Sequence, residues 1–222
     1  MRCKPGSLVV IALDCSSFCL MSRGTTGRSV LRPWGNLMHE FVCSGNVLSS
    51  RVALLIFLCQ YLKLRWILEQ PDGSFLPDMP HYQQLWRTFE VWQGYFWMGL
   101  FNGPSPKRHR VWSNCKGIID AISERAGFMS REQMGQLRVR LANHYEDKNG
   151  VKRHTGKPKD LQKSQPLGSD YTGHLVLGYW TKFLPSPAGS CLPRAYTREF
   201  GEFLAKYFVE IMKAGPITTY SH

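Results

Sequence analysis

Leu8-Val9-Val10-Ile11-Ala12-Leu13 is an unbroken aliphatic run near the start of a 222-residue chain. It shows no polar alternation, so as a strand it must be buried on both faces. That confines it to a parallel sheet covered by helices on each side. Arg2 and Lys4 precede the run and give it the look of a signal sequence. Asp14 interrupts it and no small-residue cleavage site follows, so it reads as a strand.

The segments downstream fit such a sheet. The polar stretch 22–36 holds three glycines, three arginines and a proline, and reads as a loop. Residues 46–64 carry apolar side chains at three- and four-residue spacing, with Ser44 or Asn46 as the N-cap. The stretch is apolar nearly all round and is expected to be largely buried. Its core, Val52 to Cys59, is far shorter than the ~20 residues of a membrane span. Trp66-Ile67-Leu68 is a second strand, ended by Pro71 and Gly73. A helix over 81–92, strands at 95–100 and 111–113, and a short helix over 118–126 follow. The alternation of strand and helix is that of a doubly wound α/β sheet, whose reactive groups collect at the carboxyl ends of the strands.

Beyond Ala126 the texture changes. Between Pro104 and Gln165 stand 14 Lys and Arg against six Asp and Glu, and this stretch carries most of the chain's net charge of +12. Such an excess attracts polyanions, nucleic acid foremost. Asn149-Gly150 marks a tight hairpin turn within it. Residues 166–193 read as loop, and 195–212 as an amphipathic closing helix with Phe200, Phe203, Leu204 and Phe208 along it. The seven cysteines form no CxxC pair, and the seven histidines show no ligand spacing. This excludes a disulfide framework and a zinc site, and points to a reducing intracellular compartment.

Three segments carry chemistry. Cys15 follows the first strand, Glu69 ends the second, and Arg108 and Arg110 flank His109. Attack on C6 of a cytosine ring needs a thiolate, an acid for N3 and cations for the developing charge. Each residue also has a bland role. Cys15 is either nucleophile or strand-end thiol. Glu69 is either base-reading acid, helix N-cap or partner of Arg28, Arg32 or Arg51. The arginines either grip phosphate or lie on a solvated hairpin. Asp14 beside Cys15 is expected to raise its pKa and oppose thiolate formation. Tyr95, Phe96, Trp97, Trp86 and Trp92 either stack on bases or fill the core.

Asp14-Cys15-Ser16-Ser17 resembles a divergent Pro-Cys nucleophile motif of cytosine-C5 DNA methyltransferases. Glu69-Gln70-Pro71 resembles their Glu-Asn-Val motif, and Arg108-His109-Arg110 their Gln-x-Arg-x-Arg motif, in the same order. A more specific resemblance is to a protein family abundant in dinoflagellate algae. It rests on CSSFCLMSRGTTGRS (15–29), WGNLMHEFVCSGNVLSSR (34–51), EQPDGS (69–74), GPSPKRHRVWSN (103–114) and LQKSQPLG (161–168). It implies a methyltransferase-like fold without implying an activity. In the methyltransferases the half that binds S-adenosylmethionine precedes the nucleophile strand, and only 14 residues stand before Cys15. S-adenosylmethionine is therefore expected only if further upstream residues supply its site.

The resulting expectation is an α/β fold. A partial Rossmann-like parallel sheet flanked by helices fills residues 1–128, and a basic C-terminal hairpin and closing helix fill 129–222. The candidate catalytic set is Cys15, Glu69, Arg108 and Arg110. The candidate nucleic-acid contacts are Arg28, Lys107, Arg108, Arg110, Lys152 and Arg153. DNA or RNA is the expected partner, with no membrane and no metal. Two functions remain in view: a methyltransferase-like domain inactive alone, and a non-enzymatic nucleic-acid-binding protein of mobile-element origin.

Overall fold

The computed structural model describes residues 3–103, 106–137, 143–155 and 198–213. Strand β1 (Leu8–Ala12) pairs in parallel with β2 (Arg65–Pro71), Ala12 lying opposite Glu69. Strand β3 (Trp92–Trp97) pairs antiparallel with β4 (Arg108–Ser113), which also pairs antiparallel with β2. The sheet order is β1-β2-β4-β3. Three strands run one way and β4 runs against them, so the sheet is mixed rather than wholly parallel. The cause is the short link 98–107. A parallel return needs a crossover of about a dozen residues or more, whereas an antiparallel return does not.

Both faces of the sheet are covered. Helix α1 (Arg23–Thr26) interrupts the glycine-rich stretch. Helix α2 (Glu40–Tyr61) makes the crossover from β1 to β2. It starts several residues ahead of the expected cap. His39 is its N-cap and makes no side-chain cap bond. Asn46 instead sits inside the helix, with its Nδ2 donating to the Trp34 carbonyl at 3.0 Å.

Burial of α2 is one-sided, contrary to the sequence expectation. Val42, Val52, Ile56 and Cys59 face the core, while Leu54 is 68% and Tyr61 82% exposed. A single sheet face can cover only one side of a helix. At 22 residues α2 is also long and apolar enough to cross a membrane by length and composition, which the run 52–59 alone did not reveal.

Helix α3 (Pro80–Thr88) opens on Pro80, whose missing N–H costs nothing in the first turn. It ends before the expected limit because the chain turns into β3 at Trp92. Its Trp86 ring lies between those of Trp66 and Trp112, at 6.3 Å and 5.8 Å and within 17° and 11° of parallel. Three tryptophans from three elements thus fill the layer beneath α2 and α3.

The opposite face packs on α4 (Lys116–Ala126) and on the closing helix, here α6 (Arg198–Lys213). Phe96 of β3 stacks on Phe200 of α6 with centroids 5.0 Å apart. Burying such a ring contributes about 2–3 kcal/mol. Gly94 lets α4 approach the sheet: a Cβ there would meet Ile119 and Ser123 atoms at 2.9 Å. Between these helices, α5 (Arg131–Gln136) is started by a capping box of Ser130 and Gln133. Strands β5 (Asn143–Glu146) and β6 (Lys152–Thr155) form a separate antiparallel pair. Asp147 accepts from the N–H groups of Asn149 and Val151 in their turn, and Gly150 takes the left-handed backbone there. The expected loop over 166–193 lies outside the described residues.

Candidate functional site

Beyond β1 the chain closes into a tight turn. Asp14 Oδ1 accepts the Ser16 N–H at 3.0 Å, and the Cys15 carbonyl accepts from Phe18 and Cys19 N–H groups, both at 2.9 Å. Phe18 is fully buried and anchors the turn. The Cys15 thiol is hydrogen-bonded to the Cys19 thiol, and this bond is the largest cause that pushes its pKa far up. Burial and negative charge on Cys19 and Glu69 add to the shift, and only Lys107 opposes it. The sequence pointed to Asp14 as the opposing group; the thiol four residues on takes that role. A thiol so placed stays protonated at neutral pH, the reverse of what a nucleophile needs.

Gln70 and Ser74 tie β2 to this turn. Gln70 Nε2 donates to the Leu13 carbonyl at 2.7 Å, and its Oε1 accepts from Ser74 Oγ at 3.0 Å. Cys19 and Ser74 form an isolated antiparallel bridge. The Glu-Gln-Pro segment therefore acts as a clamp between two strand ends.

Glu69 lies on the α4 side of the sheet, 5% exposed, and its carboxylate accepts from His109 Nδ1 of β4. This partner replaces the Arg28, Arg32 or Arg51 expected from the sequence. The His109 ring is 7% exposed and packs 5.3 Å from the Phe96 ring, with its Nε2 buried and without a hydrogen-bond partner among the described residues. The proximity of Glu69 to the Cys15 thiol brings two of the candidate catalytic residues together. The arginines are elsewhere.

Arg108 and Arg110 belong to β4, not to a loop. Strand alternation turns them to the face opposite His109. Asp72 accepts from Arg110 Nε and Nη2 at 3.3 and 3.0 Å and pairs with Arg108 Nη1 at 3.3 Å. Opposite them on β3 stand Tyr95 and Trp97, in register with Arg110 and Arg108 respectively. The Arg108 guanidinium carbon lies 4.4 Å from the Tyr95 ring centre and 5.9 Å from that of Trp97. Arg110 lies 5.2 Å from the Tyr95 centre and 5.8 Å from that of Trp112. These contacts leave Arg108 exposed and Arg110 half-buried at the surface.

Arg28 is a correction. It is 2% exposed, and its guanidinium donates to the carbonyls of Ser17 at 2.8 Å, of Val42 at 3.3 Å and of Pro33. It also lies 4.0 Å from the Phe18 ring centre, and burial pulls its pKa down to about 10. It pins the turn after β1 to the start of α2 and offers nothing to a polyanion. Lys152 is exposed on β6, and Arg153 occupies the next position of that strand.

Sequence reasoning passed over Asp72, Gln70 and Cys19, and treated His109 as one more loop charge. Period-two alternation through Arg108-His109-Arg110 was the available signal, since it places the histidine alone on the inner face. Among the described residues no group of three or more His, Cys, Asp or Glu is arranged to hold a metal ion. Neither β1 nor β2 is followed by a glycine-rich nucleoside loop: β1 runs into Leu13-Asp14-Cys15 and β2 into Asp72-Gly73-Ser74. No protein-family model, curated protein or solved structure matches this chain.

Proposed function

We propose that this chain is a methyltransferase-like α/β domain of cytosine-C5 ancestry that binds nucleic acid and does not itself transfer methyl groups. The observation that carries the binding role is the pair Arg108 and Arg110, held on one face of β4 by Asp72 beside Tyr95. Two guanidinia fixed in this way present preformed forks for phosphate oxygens. The strong positive charge of the chain draws the polyanion toward them. The ancestry is supported by the placement of Ala12 opposite Glu69, which brings the ends of the Cys15 and Glu69 segments side by side. Loss of catalysis is supported by the protonated thiol and by the engagement of Glu69 with His109.

A salt series on the full chain tests this. Affinity falls with salt with a logarithmic slope of about −0.9 per phosphate contact on duplex and about −0.7 on single strands. The double change Arg108→Ala, Arg110→Ala is expected to reduce the slope by about two contacts. A slope untouched by the double change would place the contact surface elsewhere.

A further inference from the structure

The geometry points to unpaired nucleic acid, rather than duplex, as the ligand of the β3–β4 surface, with Tyr95 and Trp97 as platforms for its bases. This rests on the nucleic-acid reading above and adds the class of strand that the surface takes.

The structure sorts the aromatic residues into two sets. Trp66 and Trp112 lie in the core with Trp86 stacked between them, and Phe96 is fully buried against Phe200. Tyr95 and Trp97 flank Phe96 and so point to the opposite face, where both are half-buried. Strand β3 is an edge strand among the described residues, so the two rings stand at the rim of the sheet.

Register does the rest. Trp97 stands opposite Arg108 and Tyr95 opposite Arg110, so the four side chains form a block of two rings and two guanidinia. The block is held in advance. Gln93 Nε2 donates to the Tyr95 hydroxyl at 3.1 Å, while Gln93 Oε1 accepts from Trp112 Nε1 at 2.9 Å. Asp72 fixes both guanidinia from below. Side chains fixed before binding lose little entropy on binding.

Asp72 pairs with both Arg108 and Arg110, and Arg110 also opposes the rise that burial gives the Asp78 pKa, so carboxylates offset much of the charge of the two arginines. The surface is therefore weak as a pure phosphate rail, and a larger share of affinity falls to the rings. Rings capture base faces, and every base has one to offer. In a duplex those faces are already stacked on one another. Only an unpaired strand can offer them to Trp97 and Tyr95 while its phosphates reach the arginines.

The test uses the full chain with a short oligothymidylate, a duplex of the same length, and heparin as a polyanion without bases. Oligothymidylate is expected to bind about tenfold or more tighter than duplex and to quench tryptophan fluorescence. Trp97→Ala is expected to weaken oligothymidylate about tenfold, with the salt slope and heparin affinity unchanged. Trp97→Phe keeps a π-face and is expected to restore most of the loss; it also serves if the alanine variant fails to fold. Duplex binding as tight as single strand, insensitive to Trp97, would overturn this inference and leave the nucleic-acid reading standing. Heparin binding as tight as oligothymidylate, with no quenching, would overturn it in favour of bare charge. No salt-dependent binding of any probe would overturn both.

Discussion

The β1–β2 side and the β3–β4 side of the sheet had the same sequence promise and met opposite fates. At the β1–β2 side, Cys15, Glu69 and Gln70 have turned inward. The side chains of Cys15, Glu69 and Gln70 are each met by a neighbour: thiol by thiol, carboxylate by imidazole, amide by carbonyl and hydroxyl. At the β3–β4 side, Arg108, Arg110, Tyr95 and Trp97 face outward, tethered yet open. Residues that look catalytic in sequence can become structural when their partners are supplied from within. Residues that look like loop charges can become a surface when a strand sorts them. A single strand, β4, does both, sending His109 to one side's chemistry and its two arginines to the other's.

The largest effect that would break the comparison is at Glu69. If the β1–β2 side is now a structural clamp, Glu69→Ala leaves His109 buried without its carboxylate. Leaving a buried hydrogen-bond donor unsatisfied costs about 1–3 kcal/mol. A urea midpoint far below that of the parent, with oligonucleotide affinity of the folded fraction retained, is the expected result. Unchanged stability would show that Glu69 is not held as described.

A smaller effect sharpens the same contrast. Cys15 keeps its proton in the folded state at pH values where the unfolded chain has lost it, because its folded pKa is raised above 9.0. Cys59, pushed up to about 11 by burial, behaves alike. The folded state then binds more protons, so stability is full below about pH 9 and falls as pH rises above it. The midpoint measured from pH 8 to about pH 11 should decline, and Cys15→Ser should remove part of that decline. In the folded chain Cys15 should be alkylated more slowly than the exposed Cys3. Fast alkylation of Cys15 at neutral pH would return it to the list of nucleophiles.

Much of the frame was legible in the sequence. The aliphatic run 8–13, the helical spacing of 46–64 and the strand at 66–68 led to β1, α2 and β2 because each signal is local. The direction of β4 was also legible in principle, from the shortness of 98–107, yet strand alternation alone does not show it. What the sequence hid was long-range. Nothing near Arg28 announces that carbonyls of Ser17, Pro33 and Val42 will converge on it. Nothing near Trp66 announces that Trp86 and Trp112 will stack with it. The outward residues of the candidate site were legible as charge and aromaticity, but their block of four exists only through the register of β3 on β4.

The most direct test of the central claim is ultraviolet crosslinking of the full chain to an oligothymidylate, with the attached peptides mapped. Crosslinks concentrated on the peptides holding Tyr95, Trp97 and residues 107–112, and absent from the peptide holding Cys15, are the expected outcome. Crosslinks at Cys15, or confined to the β5–β6 pair, would contradict the account.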